Sequence, residues 1–191
     1  LLLRARKNQK LATLLLNRDD LSFHQRAKLF EKASPAQRAA LMEEALEEYS
    51  SLPPYELAPK ILPHSLTMAI EQQDREGIIS ALAVSSGMSQ CDPTFQPRLN
   101  HPDGAIAALA CLSLGLEKNA ITKVLRLVEA HPVMTLRPGG AEDVLERLSM
   151  GAAKVLLEAM ITTKQLKRDK AMRDSAYMPH TPSVIVMDAV A

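Results

Sequence analysis

The run Ala105-Ile106-Ala107-Ala108-Leu109-Ala110-Cys111-Leu112-Ser113-Leu114-Gly115-Leu116-Glu117-Lys118-Asn119-Ala120-Ile121-Thr122-Lys123-Val124-Leu125-Arg126-Leu127-Val128 decides the fold class. Its first half is dominated by Ala and Leu, which lose little conformational freedom in a helix, so residues 103–114 are predicted helical. Gly115 supplies the stop, because glycine accepts a left-handed backbone at a helix end without steric cost. Asn119 is the expected cap of the next helix, in which Ile121, Val124, Leu125 and Val128 fall on one face.

The same spacing continues in both directions. Residues 1–16 read as one helix, with Leu3, Leu11, Leu14 and Leu15 near one face. Ser22 and Gln25 stand at capping-box spacing before a helix over about 23–33. Ser34, Pro35 and Gln37 open another helix, whose stripe is Met42, Ala45, Leu46 and Tyr49. Its other face carries Glu43, Glu44, Glu47 and Glu48, which read as a solvated surface. Ser51-Leu52-Pro53-Pro54 is a stiff joint, and helices are predicted at 64–73 and 76–86. Gly87, Pro93, Pro97 and Asn100 make 87–101 a long exposed loop, and 131–140 reads as a second loop. A short helix at 141–147 and a longer one from residue 150, bearing Ala153, Leu156, Leu157 and Met160, follow. Residues 177–191 are expected to form a flexible tail.

Composition agrees with an all-α protein. Aromatics are only 3% of the 191 residues, and Leu, Ala and Met carry the apolar load. One helical domain over 1–176 is expected, divisible into sub-lobes 1–50 and 64–173. Ile79-Ser80-Ala81-Leu82-Ala83 is echoed by Ile106-Ala107-Ala108-Leu109-Ala110, and Lys123-Val124-Leu125 by Lys154-Val155-Leu156. Stacked helix pairs would produce such echoes. The architecture is therefore either an irregular multi-helix bundle or a short HEAT-like α-solenoid.

Three further segments carry a resemblance. Leu14-Leu15-Leu16 with Arg18-Asp19-Asp20-Leu21-Ser22, then Ala105 to Leu109 with Leu114-Gly115-Leu116, then Arg137-Pro138-Gly139-Gly140 with Leu148-Ser149 and Ala152-Ala153, resemble an uncharacterised helical family of alphaproteobacteria, a domain of unknown function. The resemblance covers most of the chain and implies an all-α fold. It supplies no catalytic residue.

Chemistry-bearing patterns are sparse. Cys91, His101, Cys111 and His131 lack the close pairs by which one helical turn delivers two ligands to a metal, so no metal site is expected. No Glu has a His three residues later, which removes the di-iron bundle pattern. Nucleophile-elbow and P-loop spacings are absent. His101 and Asp103, beside a helix start, are the residual candidates for catalysis. No catalytic residue and no cofactor are expected. Two cysteines suit a reducing compartment, so the expected location is the cytoplasm of a bacterium. Apolar runs fall short of a membrane span, and no signal peptide is expected.

Two binding readings remain. The first is a non-catalytic interaction module that binds another protein through a groove between helices or through the 87–101 loop. In the second, Cys111, Gly115 and Ile121 match the small residue, turn glycine and aliphatic lock of a helix-turn-helix, with residues 107–128 as the motif. Lys118, Asn119, Thr122, Lys123 and Arg126 would then face phosphates and base edges. A net charge of +1 weighs against nucleic acid as the main partner. A homodimer is compatible with either reading. Lys164, Lys167, Arg168, Lys170 and Arg173 form a further basic run, read as a solvated helix end or an acidic-partner site.

Overall fold

In chain order the computed structural model, which describes residues 1–51, 64–87 and 95–160, places helices α1 (Leu2–Ala5), α2 (Gln9–Leu16), α3 (Phe23–Ala27), α4 (Pro35–Ser50), α5 (His64–Gln72), α6 (Arg75–Ser85), α7 (Phe95–Leu99), α8 (Ala105–Ser113), α9 (Lys118–Leu127), α10 (Pro132–Thr135), α11 (Ala141–Arg147) and α12 (Met150–Ala159). A single 3-10 turn, Phe30–Lys32, lies between α3 and α4. No strand occurs among the described residues, as the spacing of the aliphatic residues requires. The proline joint from residue 52, the heart of the 87–101 loop with Cys91, the basic run 164–173 and the tail 177–191 lie outside the described residues.

Helix α8 is the hub. Every residue from Ala105 to Cys111 is buried, including the faces that a surface helix would turn to water. A helix apolar all round can be stable in water only if neighbours cover each side. Here α12 and α11 cover two sides, while α9, α6 and α7 pack against the rest. Leu109, Ile106 and Cys111 are each no more than 2% exposed.

Helix α12 also packs on α4, closing the N-terminal part of the chain onto the C-terminal part. That contact decides between the two architectures. In a solenoid each unit touches only its sequence neighbours, whereas α4 and α12 meet across most of the chain. The protein is a multi-helix bundle. Close approach of α4 and α12 depends on Gly151, where a Cβ would lie 1.8 Å from Cε2 of the Tyr49 ring.

Local capping follows the sequence at α4. The Gln37 amide donates to Ser34 Oγ at 3.3 Å, and the Ser34 amide donates to Gln37 Oε1 at 3.0 Å. At the other capping box, the Ser22 amide donates to Gln25 Oε1.

Several boundaries differ from expectation. The helix expected over 1–16 is broken between α1 and α2, because Asn8 caps a new start by accepting from the Leu11 amide at 3.1 Å. Leu14, expected on the apolar face, is 67% exposed, while Ala12, Leu15 and Leu16 are buried. The helix expected over 23–33 divides into α3 and the 3-10 turn. Glu117, not Asn119, is the N-cap of α9, and Asn119 lies within the first turn. Both expected loops contain helix: α7 occupies 95–99 and α10 occupies 132–135. Pro132 at the first position of α10 costs no hydrogen bond, since that amide has no partner in a helix.

Candidate functional site

Helix α9 presents two faces of opposite character. Ile121, Val124 and Leu125 are buried against the bundle. Lys118, Asn119, Thr122, Lys123 and Arg126, the five residues singled out by sequence, are all exposed. Successive helical residues turn by about 100°, which gathers these five on one side of α9. Within that side the Thr122 hydroxyl is satisfied internally, donating to the Lys118 carbonyl at 2.9 Å.

Cys111 and Ile121 are fully buried, and Gly115 has φ +79°, a left-handed conformation that L side chains rarely adopt. Glu129, an acid beyond the end of α9, is met by Arg75, with Nη2 to Oε2 at 3.2 Å. Glu117, at the start of α9, is exposed.

Beside this face lies a groove of about 300 Å³, at a place that sequence reasoning did not locate. Thr122, Leu125 and Arg126 of α9 form one wall, and Ala141, Glu142 and Leu145 of α11 form the other. Pro132, Thr135 and Leu136, in and just after α10, close it. The lining is mostly aliphatic. Leu136, which helps close the groove, is 65% exposed. The groove arises because α10 folds where a loop was expected.

The residual catalytic pair behaves differently. Asp103 is buried, and its Oδ2 accepts from Arg38 Nη1 at 2.8 Å. Its Oδ1 accepts from the Ala105 amide at 3.1 Å and lies 2.9 Å from His101 Nδ1. Burial pushes the Asp103 carboxyl up, but the Arg38 charge and hydrogen bond, the Ala105 amide and His101 outweigh it. The carboxyl therefore titrates below its ordinary range and is a poor base. His101 is about half exposed.

Arg38 was not singled out from the sequence, although it continues the Met42–Ala45 stripe toward the N-terminus of α4. Its Nε donates to the Phe30 carbonyl, Nη1 to the Gly139 carbonyl as well as to Asp103, and Nη2 to the Glu31 carbonyl. The guanidinium carbon sits 5.2 Å from the centre of the Phe30 ring. Four of its five N–H groups are thus spent inside the fold. A cleft of about 220 Å³ borders Arg38 and Asp103, but neither side chain has its chemistry free for a substrate. The Asp103 carbonyl accepts from the Ala141 amide as well, so this node ties α4, the start of α8 and the start of α11 together.

Cys111 is fully buried, and burial pushes its thiol up to about 12. A thiol so placed is a packing residue, not a nucleophile. Among the described residues no three His, Cys, Asp or Glu side chains are grouped to hold a metal ion. His24, His64, His101 and His131 are all exposed. No described helix is long and apolar enough to cross a membrane.

No family model matches the chain, and neither a curated protein nor a solved structure matches it.

Proposed function

We propose that this chain is a non-catalytic helical interaction module of the bacterial cytoplasm, and that it binds another protein in the groove between α9 and α11. The observation that carries the reading is Leu136, a large apolar side chain that lines a mostly aliphatic groove and is left 65% exposed. Scattered apolar residues on a surface need no explanation, but apolar residues contiguous with a concavity mark a binding site. Asp103 is paired with Arg38, and Cys111 is buried as a thiol.

A photo-crosslinking residue placed at position 136 tests this directly in cell lysate, with the same residue at position 84 as control. Val84 is 59% exposed and is not among the residues that line the groove. Adducts at 136 that vanish on Leu145→Asp, with none at 84, support the reading. Equal adducts at both positions would sink it.

A second reading has a specific observation in its favour. Buried Cys111, left-handed Gly115 and buried Ile121 occupy the three places a helix-turn-helix needs, and all five polar residues of α9 are exposed. The chain would then lay α9 in a DNA major groove. Lys123→Glu combined with Arg126→Glu must abolish a low-salt mobility shift of duplex DNA if this is right. A shift that survives both reversals rejects it.

A further inference from the structure

Resting on the docking reading, we propose that the occupant of the α9–α11 groove is a second copy of this chain, bound about a two-fold axis. Such an interface uses one patch twice, so the patch must be its own complement. This one is. It holds a hollow walled by Leu125, Ala141 and Leu145, and at its edge Leu136, which is 65% exposed. The projection of each copy can enter the hollow of the other.

Charge obeys the same requirement. Arg126 stands on the α9 wall and Glu142 on the α11 wall, both exposed. Neither belongs to an ion pair among the described residues. About a two-fold axis, Arg126 of each copy meets Glu142 of the partner subunit, and both charges are answered. A nucleic acid seated here would gain Arg126 but be repelled by Glu142. An acidic or basic helix from another protein would likewise satisfy one wall and oppose the other. The patch is small beside the ~800 Å² per subunit of a stable interface, so association is expected to depend on concentration and to weaken with salt.

Sedimentation velocity on the full chain tests this, with Arg126→Glu, Glu142→Arg and an equimolar mixture of the two variants. The wild-type chain is expected to dimerise reversibly. Each single reversal places like charges across both symmetric contacts and is expected to weaken the dimer about tenfold. Mixing the two variants restores opposite charges at both contacts, so a mixed dimer of wild-type strength is expected. A pair within one chain could not be repaired by mixing. Leu136→Asp, at an exposed position, is expected to abolish the dimer while leaving the melting temperature at dilute, monomeric concentration unchanged.

A chain that is monomeric at every concentration overturns the inference, as does a dimer indifferent to Leu136→Asp and both reversals. A monomer that still captures a partner through position 136 leaves the docking reading standing and removes only the second copy. A monomer that captures nothing there and shifts DNA removes both.

Discussion

Arg38 Nη1 and Asp103 Oδ2 lie 2.8 Å apart inside the bundle, although 65 residues separate them in the chain. Each side chain is only 11% exposed. A buried ion pair is weak evidence of net stabilisation, because desolving both charges offsets much of their attraction. Removing one partner is another matter, since the charge left behind has no water to turn to. Arg38→Met is therefore expected to cost about 3–5 kcal/mol in urea unfolding. Arg38→Lys should recover little of this, because an ammonium cannot reproduce the planar fork that reaches Asp103 and three carbonyls. A loss below about 1 kcal/mol would show that the node is not a strut.

Asp103 also sets an acid limit. Its folded carboxyl titrates lower than in the unfolded chain. The stabilisation is full above the unfolded value, near ~3.9, and is lost as pH falls through the folded one. Stability should thus fall below about pH 4, and Asp103→Asn should flatten that limb. An unaltered acid limb in the variant would assign the effect to a different carboxylate.

Gly151→Ala places a methyl group within the Tyr49 ring, which must move for α4 and α12 to stay packed. The expected cost is about 1–3 kcal/mol. Tyr49→Ala should make the same substitution nearly free, so the double-mutant cycle reads the coupling. Additive effects would place the strain elsewhere.

The fully buried Cys111 thiol, held up to about 12, should resist Ellman's reagent in the native chain at mildly alkaline pH. In a Cys91→Ser background, labelling is expected only after denaturant exposes α8. Rapid stoichiometric labelling without denaturant would contradict the burial of the hub.

Substitutions on the exposed side of α9 separate function from folding. Lys118→Ala, Lys123→Glu and Arg126→Glu make no described ion pair lapse, and each should change unfolding free energy by no more than about 0.5 kcal/mol. Any large loss of binding in these variants then belongs to the surface itself.

Much of the fold was legible because α8 is written in Ala, Ile and Leu on all sides, a composition that only a central helix can satisfy. The α9 surface was legible for the opposite reason, its sharp division into an aliphatic and a polar side. Arg38 could have been found: a cation continuing the Met42–Ala45 stripe signals a buried partner. Its partner could not, since nothing local connects position 38 to position 103. The break at Asn8 was hidden by helix-favouring neighbours that contain neither Gly nor Pro. The position of the groove was not legible because two prolines and two glycines made 131–140 look like loop, and because its walls exist only after α9 and α11 dock on α8.

The α4–α12 contact has a consequence for synthesis. Leu41, Met42 and Ala45 of α4 are at most 2% exposed in the finished protein. Yet α12, which helps cover α4, leaves the ribosome about 100 residues later, roughly 5–20 s at ordinary elongation rates. Through that interval the nascent chain holds an apolar helical stripe without its final cover.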